Sequence, residues 1–219
     1  MNTLLGLPYF IDSINPNSYD KNKIIENINY NYSIDQYRNK WDKENYHASV
    51  LHHSNKDESN TEFRKVDYSS LIPVYDELIK NFINKFDFVK GKKVFYDFNI
   101  VNYTCTNELQ YMRMHDHISN ADFFLVHYIS FDKENHLPTI YHNTHTFGDY
   151  YKHLRPDFCD MVEDNLQSAW LRPQVYLDVE EDTIVCMPCC LPHFFSNVKK
   201  SNKNRITIVT NFSLRLENA

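Results

Sequence analysis

From Lys93 onward the chain is a succession of short strand-like runs separated by turn signals, and this narrows the available folds more than any other feature. The runs are Val94–Tyr103, Leu109–His115, Asp122–Phe131, Thr139–Tyr141, Val175–Val179, Thr183–Met187 and Arg205–Leu214. Asp122–Phe131 is nearly continuous in apolar and aromatic residues, as a strand buried on both faces would be. Thr104–Glu108, between the first two runs, reads as a hairpin loop, and a weak helical signal lies around Asp157–Leu166. Many short strands preceded by helices predict a mainly β fold with N-terminal α: a β-sandwich or jelly roll with helices packed on one face.

The N-terminal part has the other periodicity. Leu71, Val74, Leu78, Ile79, Phe82, Ile83 and Phe86 recur at helical spacing, with Pro73 in the first turn where its missing N–H costs little. A shorter helix is expected over Lys21–Asn31. Ser33 is a suitable N-cap for a further helix over Ile34–Trp41, with Asp35 early and Lys40 late. The polar stretch Asp42–Asp67 reads as a solvated loop, and His52 and His53 within it read as surface residues. Together these features predict one domain over residues 1–219: a helical elaboration over 1–92 and a β core over 93–215.

A net charge of −6 without a basic stripe argues against nucleic acid as a partner. No run of eighteen apolar residues predicts a membrane span, and the N-terminal apolar run is too short for a secretory signal, so a cytoplasmic location is expected. The five cysteines are expected to be free thiols. Cys186, Cys189 and Cys190 form a CxxCC cluster, but a structural zinc site needs a second such pair and none exists; they read as small buried strand residues.

The chemistry concentrates in Tyr111-Met-Arg-Met-His115-Asp-His117 and in two later segments, Leu191-Pro-His193 and Arg205-Ile-Thr207. Strand alternation puts Tyr111, Arg113, His115 and His117 on one face, so two imidazoles converge. His193 can supply a third ligand from a distant strand. Arg205, twelve residues later, suits a hairpin that returns a guanidinium to the same cavity, where it can hold a carboxylate by two parallel hydrogen bonds. Thr207 shares its face. His127 reads as a buried, hydrogen-bonded residue, and His136, His142, His145 and His153 as residues of a solvated loop.

The order of these elements, with Leu137-Pro-Thr139 between them and Asn211 closing the Arg205 strand, resembles the 2-oxoglutarate/Fe(II)-dependent oxygenases. More narrowly it is similar to their phage and marine bacterial branch, often labelled prolyl-hydroxylase-like, over roughly residues 94 to 214. The resemblance implies a double-stranded β-helix, Fe(II) and 2-oxoglutarate as cofactors, and hydroxylation of a substrate with succinate and CO2 as co-products. It makes His115 and His193 two of the metal ligands, and Arg205, Thr207 and Tyr111 the groups that bind 2-oxoglutarate. The family pattern is His-x-Asp, and here His117 stands at the aspartate position. The third ligand is therefore His117, Asp122 from the next strand, or Asp116 turned inward by a bulge; simple alternation favours His117. No residue specifies a small-molecule or a peptide substrate. Two rival readings are a cupin-like metalloenzyme that does not use 2-oxoglutarate, and a non-catalytic interaction module.

Overall fold

The structure, a computed structural model, describes residues 2–37, 50–57, 62–86, 93–118, 120–144, 172–197 and 199–216. The expectations for Ile34–Trp41 beyond residue 37, for Asp157–Leu166, and for His145 and His153 lie outside the described residues.

Among the described residues eleven strands form two antiparallel sheets. The larger has seven strands in the order β1-β2-β9-β6-β11-β4-β3. These are β1 (Asn2–Leu4), β2 (Leu7–Ser13), β3 (Leu51–His53), β4 (Val94–Thr106), β6 (Phe123–Ser130), β9 (Thr183–Pro188) and β11 (Arg205–Leu216). The smaller has the order β5-β10-β7-β8, from β5 (Gln110–His115), β7 (Ile140–His142), β8 (Gln174–Tyr176) and β10 (His193–Asn197). Two facing antiparallel sheets with few helices are the layers of a jelly roll.

Alternation along the large sheet sorts its side chains into two layers. Leu125 and Ile129 of β6, Ile184 and Cys186 of β9, and Ile206, Ile208 and Phe212 of β11 belong to one buried cluster. That cluster also holds Ile24 and Ile28 of α1 (Lys21–Ile34) and Tyr75, Ile79 and Phe82 of α2 (Ile72–Ile83). The intervening residues, Phe124, Val126 and Tyr128 of β6 with Val185 and Met187 of β9, pack instead with Tyr141 of β7 and Val175 of β8. The second layer therefore lies between the sheets.

Several elements differ from the sequence reading for identifiable reasons. The N-terminal third contributes β1, β2 and β3 as well as helices. Ser33 does not cap a second helix: it lies inside α1, which runs to Ile34, and its hydroxyl donates to the Tyr30 carbonyl one turn back. Thr104–Glu108 is not a hairpin loop, because β4 and β5 lie in different sheets; the chain crosses between layers there, with Leu109 at a positive φ of 54°. The same applies to β10 and β11, so Arg205 does not return by a hairpin. His193 opens β10, a strand absent from the sequence reading and separated from β9 by a turn at Cys189 and Cys190. Cys186 and Cys189 are buried as expected, whereas Cys190 is exposed.

The N-terminal elements are tied to the large sheet through Asp182, at φ 65° in the turn before β9. Its carboxylate accepts from Tyr19 Oη at 2.6 Å and from Lys21, and lies 3.6 Å from Nε2 of the fully buried His127. His127 Nδ1 in turn bonds Tyr75 Oη at 2.8 Å, so this histidine is buried and hydrogen-bonded as the sequence suggests. Burial alone would raise the Asp182 pKa, but its His127, Lys21 and Tyr19 neighbours outweigh this and hold the carboxyl below its ordinary value.

Candidate metal centre

His115 and His193 are directly opposite each other on β5 and β10, with ring centroids 4.4 Å apart. His117 lies two residues past the end of β5, where its N–H donates to the Cys189 carbonyl at 2.9 Å. That bond ties the loop after β5 to the turn before β10. The His117, His193 and Phe124 rings are near-parallel and mutually close: His117 is 5.0 Å from Phe124 and 5.2 Å from His193, and Phe124 is 4.5 Å from His193. One ligand atom from each histidine lies within 4.8 Å of the others, and among the described residues no other three His, Cys, Asp or Glu side chains are so placed.

The donor atoms are set by the backbone. His193 Nδ1 donates to the Leu191 carbonyl at 3.0 Å and His115 Nδ1 to the Arg113 carbonyl at 2.8 Å, which leaves both Nε2 lone pairs for a ligand role. Burial, with His115 beside it, lowers the His117 pKa to about 4; burial and the same neighbour hold His193 well below its ordinary value. Both rings are therefore neutral near pH 7, the form that binds metal. Neither alternative carboxylate joins them. Asp122 Oδ2 accepts from the Leu214 N–H at 2.7 Å, and Asp116 Oδ1 accepts from the Ile118 N–H at 3.2 Å.

Simple alternation along β5 fails. His193 pairs with His115 but Phe195 pairs with Met112, so three residues of β5 answer two of β10. This bulge turns Met112 to the cavity beside His115 and leaves Tyr111, Arg113 and Met114 exposed. Tyr111, expected on the histidine face, is outside the cavity lining.

Arg205 and Thr207 do reach the cavity, from β11 of the facing sheet. Arg205 is 1% exposed, with its guanidinium 4.4 Å from the Phe195 ring centroid. Nε donates to the Leu137 carbonyl at 3.0 Å and Nη2 to Thr139 Oγ1 at 3.4 Å, while Nη1 is buried without a partner. Burial lowers its pKa, yet a guanidinium keeps its proton in proteins. Among the described residues no carboxylate pairs with it, an unusual position for a buried cation.

The cavity also contains His52, which the sequence reading missed. His52 is the partner of Thr104 across β3 and β4, and both line the cavity. It and His53 are buried, contrary to the surface assignment, and His53 packs on Phe63 with centroids 4.8 Å apart. The available signal was Val50-Leu51 immediately before the pair, an apolar step that the polar residues after it obscure. His136 is also buried rather than solvated: its Nδ1 accepts from the Asp132 N–H at 2.9 Å and its Nε2 donates to the Lys203 carbonyl at 3.1 Å.

No family model matches this sequence, and no curated protein does. Among solved structures, a prolyl-4-hydroxylase from Pseudomonas putida aligns over 94% of this chain and 92% of its own, with a TM-score of 0.50 and 8% identity. The two share a fold. An oxidoreductase of the 2OG-Fe(II) oxygenase family from Burkholderia pseudomallei aligns over 53% of this chain, with a TM-score of 0.36 and 12% identity. This chain spans under half of that structure, 44%.

Proposed function

We propose that the protein is an Fe(II)- and 2-oxoglutarate-dependent dioxygenase that hydroxylates its substrate. The observation that carries this reading is one cavity with three converging imidazoles at one side and, at the other, a buried Arg205 that pairs with no carboxylate among the described residues. The fold shared with the Pseudomonas putida prolyl-4-hydroxylase and the order of motifs from His115 to Arg205 are consistent with it. In this reading the strands form a double-stranded β-helix, the helices cover its outer face, and the whole chain is one oxygenase unit.

The donor set fits the metal. Three imidazoles suit Fe(II), as they suit other late first-row ions, and a facial set of three leaves positions for other ligands. The bound iron would supply dioxygen activation, with 2-oxoglutarate as the two-electron reductant that ends as succinate and CO2. The protein's contribution is placement and charge. His115, His117 and His193 hold the metal; Arg205 answers the distal carboxylate through Nη1 and Nη2, and Thr207 adds a hydroxyl. The whole cavity from the histidines to Arg205 is narrow, about 30 Å³, so a dicarboxylate entering it has to displace neighbouring side chains.

Calorimetric titration tests this. One Mn(II) per chain is expected, with no binding in His193→Ala, and 2-oxoglutarate is expected to bind the Mn(II) form. Metal binding without 2-oxoglutarate binding would instead indicate a cupin-like metalloenzyme, and a chain that takes up no metal would refute both.

A further inference from the structure

Residues 205, 207, 209, 211 and 213 lie along one face of β11, and that face connects two cavities. Arg205, Thr207 and Val209 line the inner one; Asn211 and Ser213 line an outer cleft of about 410 Å³. His52, Asn102 and His117 belong to both linings, so a metal-candidate histidine forms the boundary. On β4 the register shifts where Val209 pairs with Asn102 and Thr210 with Ile100, which leaves Val101 over. That bulge turns Asn99 to the same side as Asn102, and Asn99 pairs directly across the strands with Asn211.

The chemistry of this outer end is specific. Asn102 is 4% exposed and its Oδ1 is buried with no hydrogen-bond partner; Asn211 Oδ1 is likewise unmet. Leaving such acceptors unmet is costly, and a ligand carrying N–H groups would satisfy them. Among the described residues the lining contains no lysine or arginine, and its one acid there, Asp97, is paired with Arg215 at 2.8 Å. A carboxylate or phosphate placed there would face carbonyl oxygens without a counter-charge. Each asparagine presents an acceptor and a donor in one plane, and the group that answers both at once is another amide.

We propose that the outer cleft seats the substrate through an uncharged amide group, held by Asn102 and by the cross-strand pair Asn99 and Asn211, and that it rejects anionic analogues. Calling this ligand the substrate rests on the oxygenase reading; the seat itself does not.

The full chain, labelled with ¹⁵N, is titrated without metal with N-acetylglycinamide and with N-acetylglycine, which differ only in amide against carboxylate. The side-chain NH2 signals of Asn99, Asn102 and Asn211 should shift saturably with the amide and at least about fivefold more weakly with the carboxylate, the loss of roughly one hydrogen bond. Asn102→Leu should weaken the amide about five- to tenfold; Asn99→Ala, on the exposed rim, gives the same test if the buried variant does not fold. With Mn(II) added, the bound amide's proton signals should broaden, because the seat adjoins His117. Equal shifts with both probes, or no shifts, in a protein that binds Mn(II) and 2-oxoglutarate would overturn the amide seat and leave the oxygenase standing. Shifts in a protein that binds no Mn(II) would support the seat and remove the oxygenase.

Discussion

Arg205→Met separates the arginine's role in binding from its role in the fold. In the unliganded protein two effects oppose each other. Removing a buried charge with no acid partner can stabilise by about 1–4 kcal/mol, while leaving the Leu137 carbonyl unmet costs about 1–3 kcal/mol. For a chain of this size 1 kcal/mol moves Tm by about 2–4 °C, so these near-cancelling terms should keep the unliganded variant within a few degrees of wild type. With ligand the two should diverge. In the Mn(II) form, 2-oxoglutarate at about 100 times Kd contributes roughly 2.7 kcal/mol, or about 5–11 °C at that sensitivity. Losing the partner of a buried carboxylate costs about 2–5 kcal/mol of affinity. The same 2-oxoglutarate concentration then stabilises the variant by at most about 0.9 kcal/mol, or about 2–4 °C. Differential scanning fluorimetry of both proteins, with and without 2-oxoglutarate, measures this directly. Equal ligand-induced shifts in a variant that still binds Mn(II) would refute the assignment of Arg205.

Three further outcomes are expected. His117→Ala should lose Mn(II) affinity in calorimetry, whereas Asp122→Ala should keep it and lose only about 1 kcal/mol of stability in urea, since its carboxylate serves the Leu214 N–H; the reverse ranking would make Asp122 the third ligand. Asp182→Ala leaves the hydroxyl of Tyr19 without its acceptor and Lys21 with Glu181 as its remaining carboxylate, and should destabilise by about 1–3 kcal/mol in urea; an unchanged midpoint would show that the N-terminal elements are held by apolar packing alone. Burial, with His115 near one and Arg205 near the other, holds His117 and His136 at about 4, against about 6.5 unfolded. The unfolded chain therefore binds protons that the folded one refuses, and this contribution, complete above about 6.5, is lost as pH falls toward 4. Tm of the metal-free protein should fall between pH 7 and 4.5, and less steeply in His136→Leu; an identical slope would exclude His136 as a contributor.

The strands that sequence made legible are those whose alternation or apolar continuity is set locally: β6, β9 and β11 lie close to their expected bounds. What escaped was set by pairing partners far along the chain. β3 is three residues long and its strand character comes from β4, so the Val50-Leu51 step alone was too short a signal to mark His52 and His53 as buried. The bulge in β5 depends on β10, about eighty residues away, and a period-2 rule cannot anticipate an added residue; Tyr111 was misplaced for that reason. His117 met the other two histidines although it lies beyond the strand that was meant to orient it. Its position depends on a bond to the Cys189 carbonyl, which no spacing rule contains. Arg205 was located correctly by a wrong route, since the two sheets, not a hairpin, bring it opposite His193.

The division of the cavity between the sheets has a mechanical side. His115 and His193 stand on the four-stranded sheet, and Arg205 and Thr207 on the seven-stranded one. A metal-bound dicarboxylate reaching from one set to the other would span the sandwich as a rivet, resisting both separation and sliding of the layers. Occupancy would then be felt well beyond the contacts themselves: amide exchange should slow along β5 and β11 together, although no backbone hydrogen bond joins the two strands. Emptying the cavity would free the sheets to breathe independently, and the outer cleft, walled by β4 and β11 on one side and by the loop carrying His117 on the other, would change width with every such excursion.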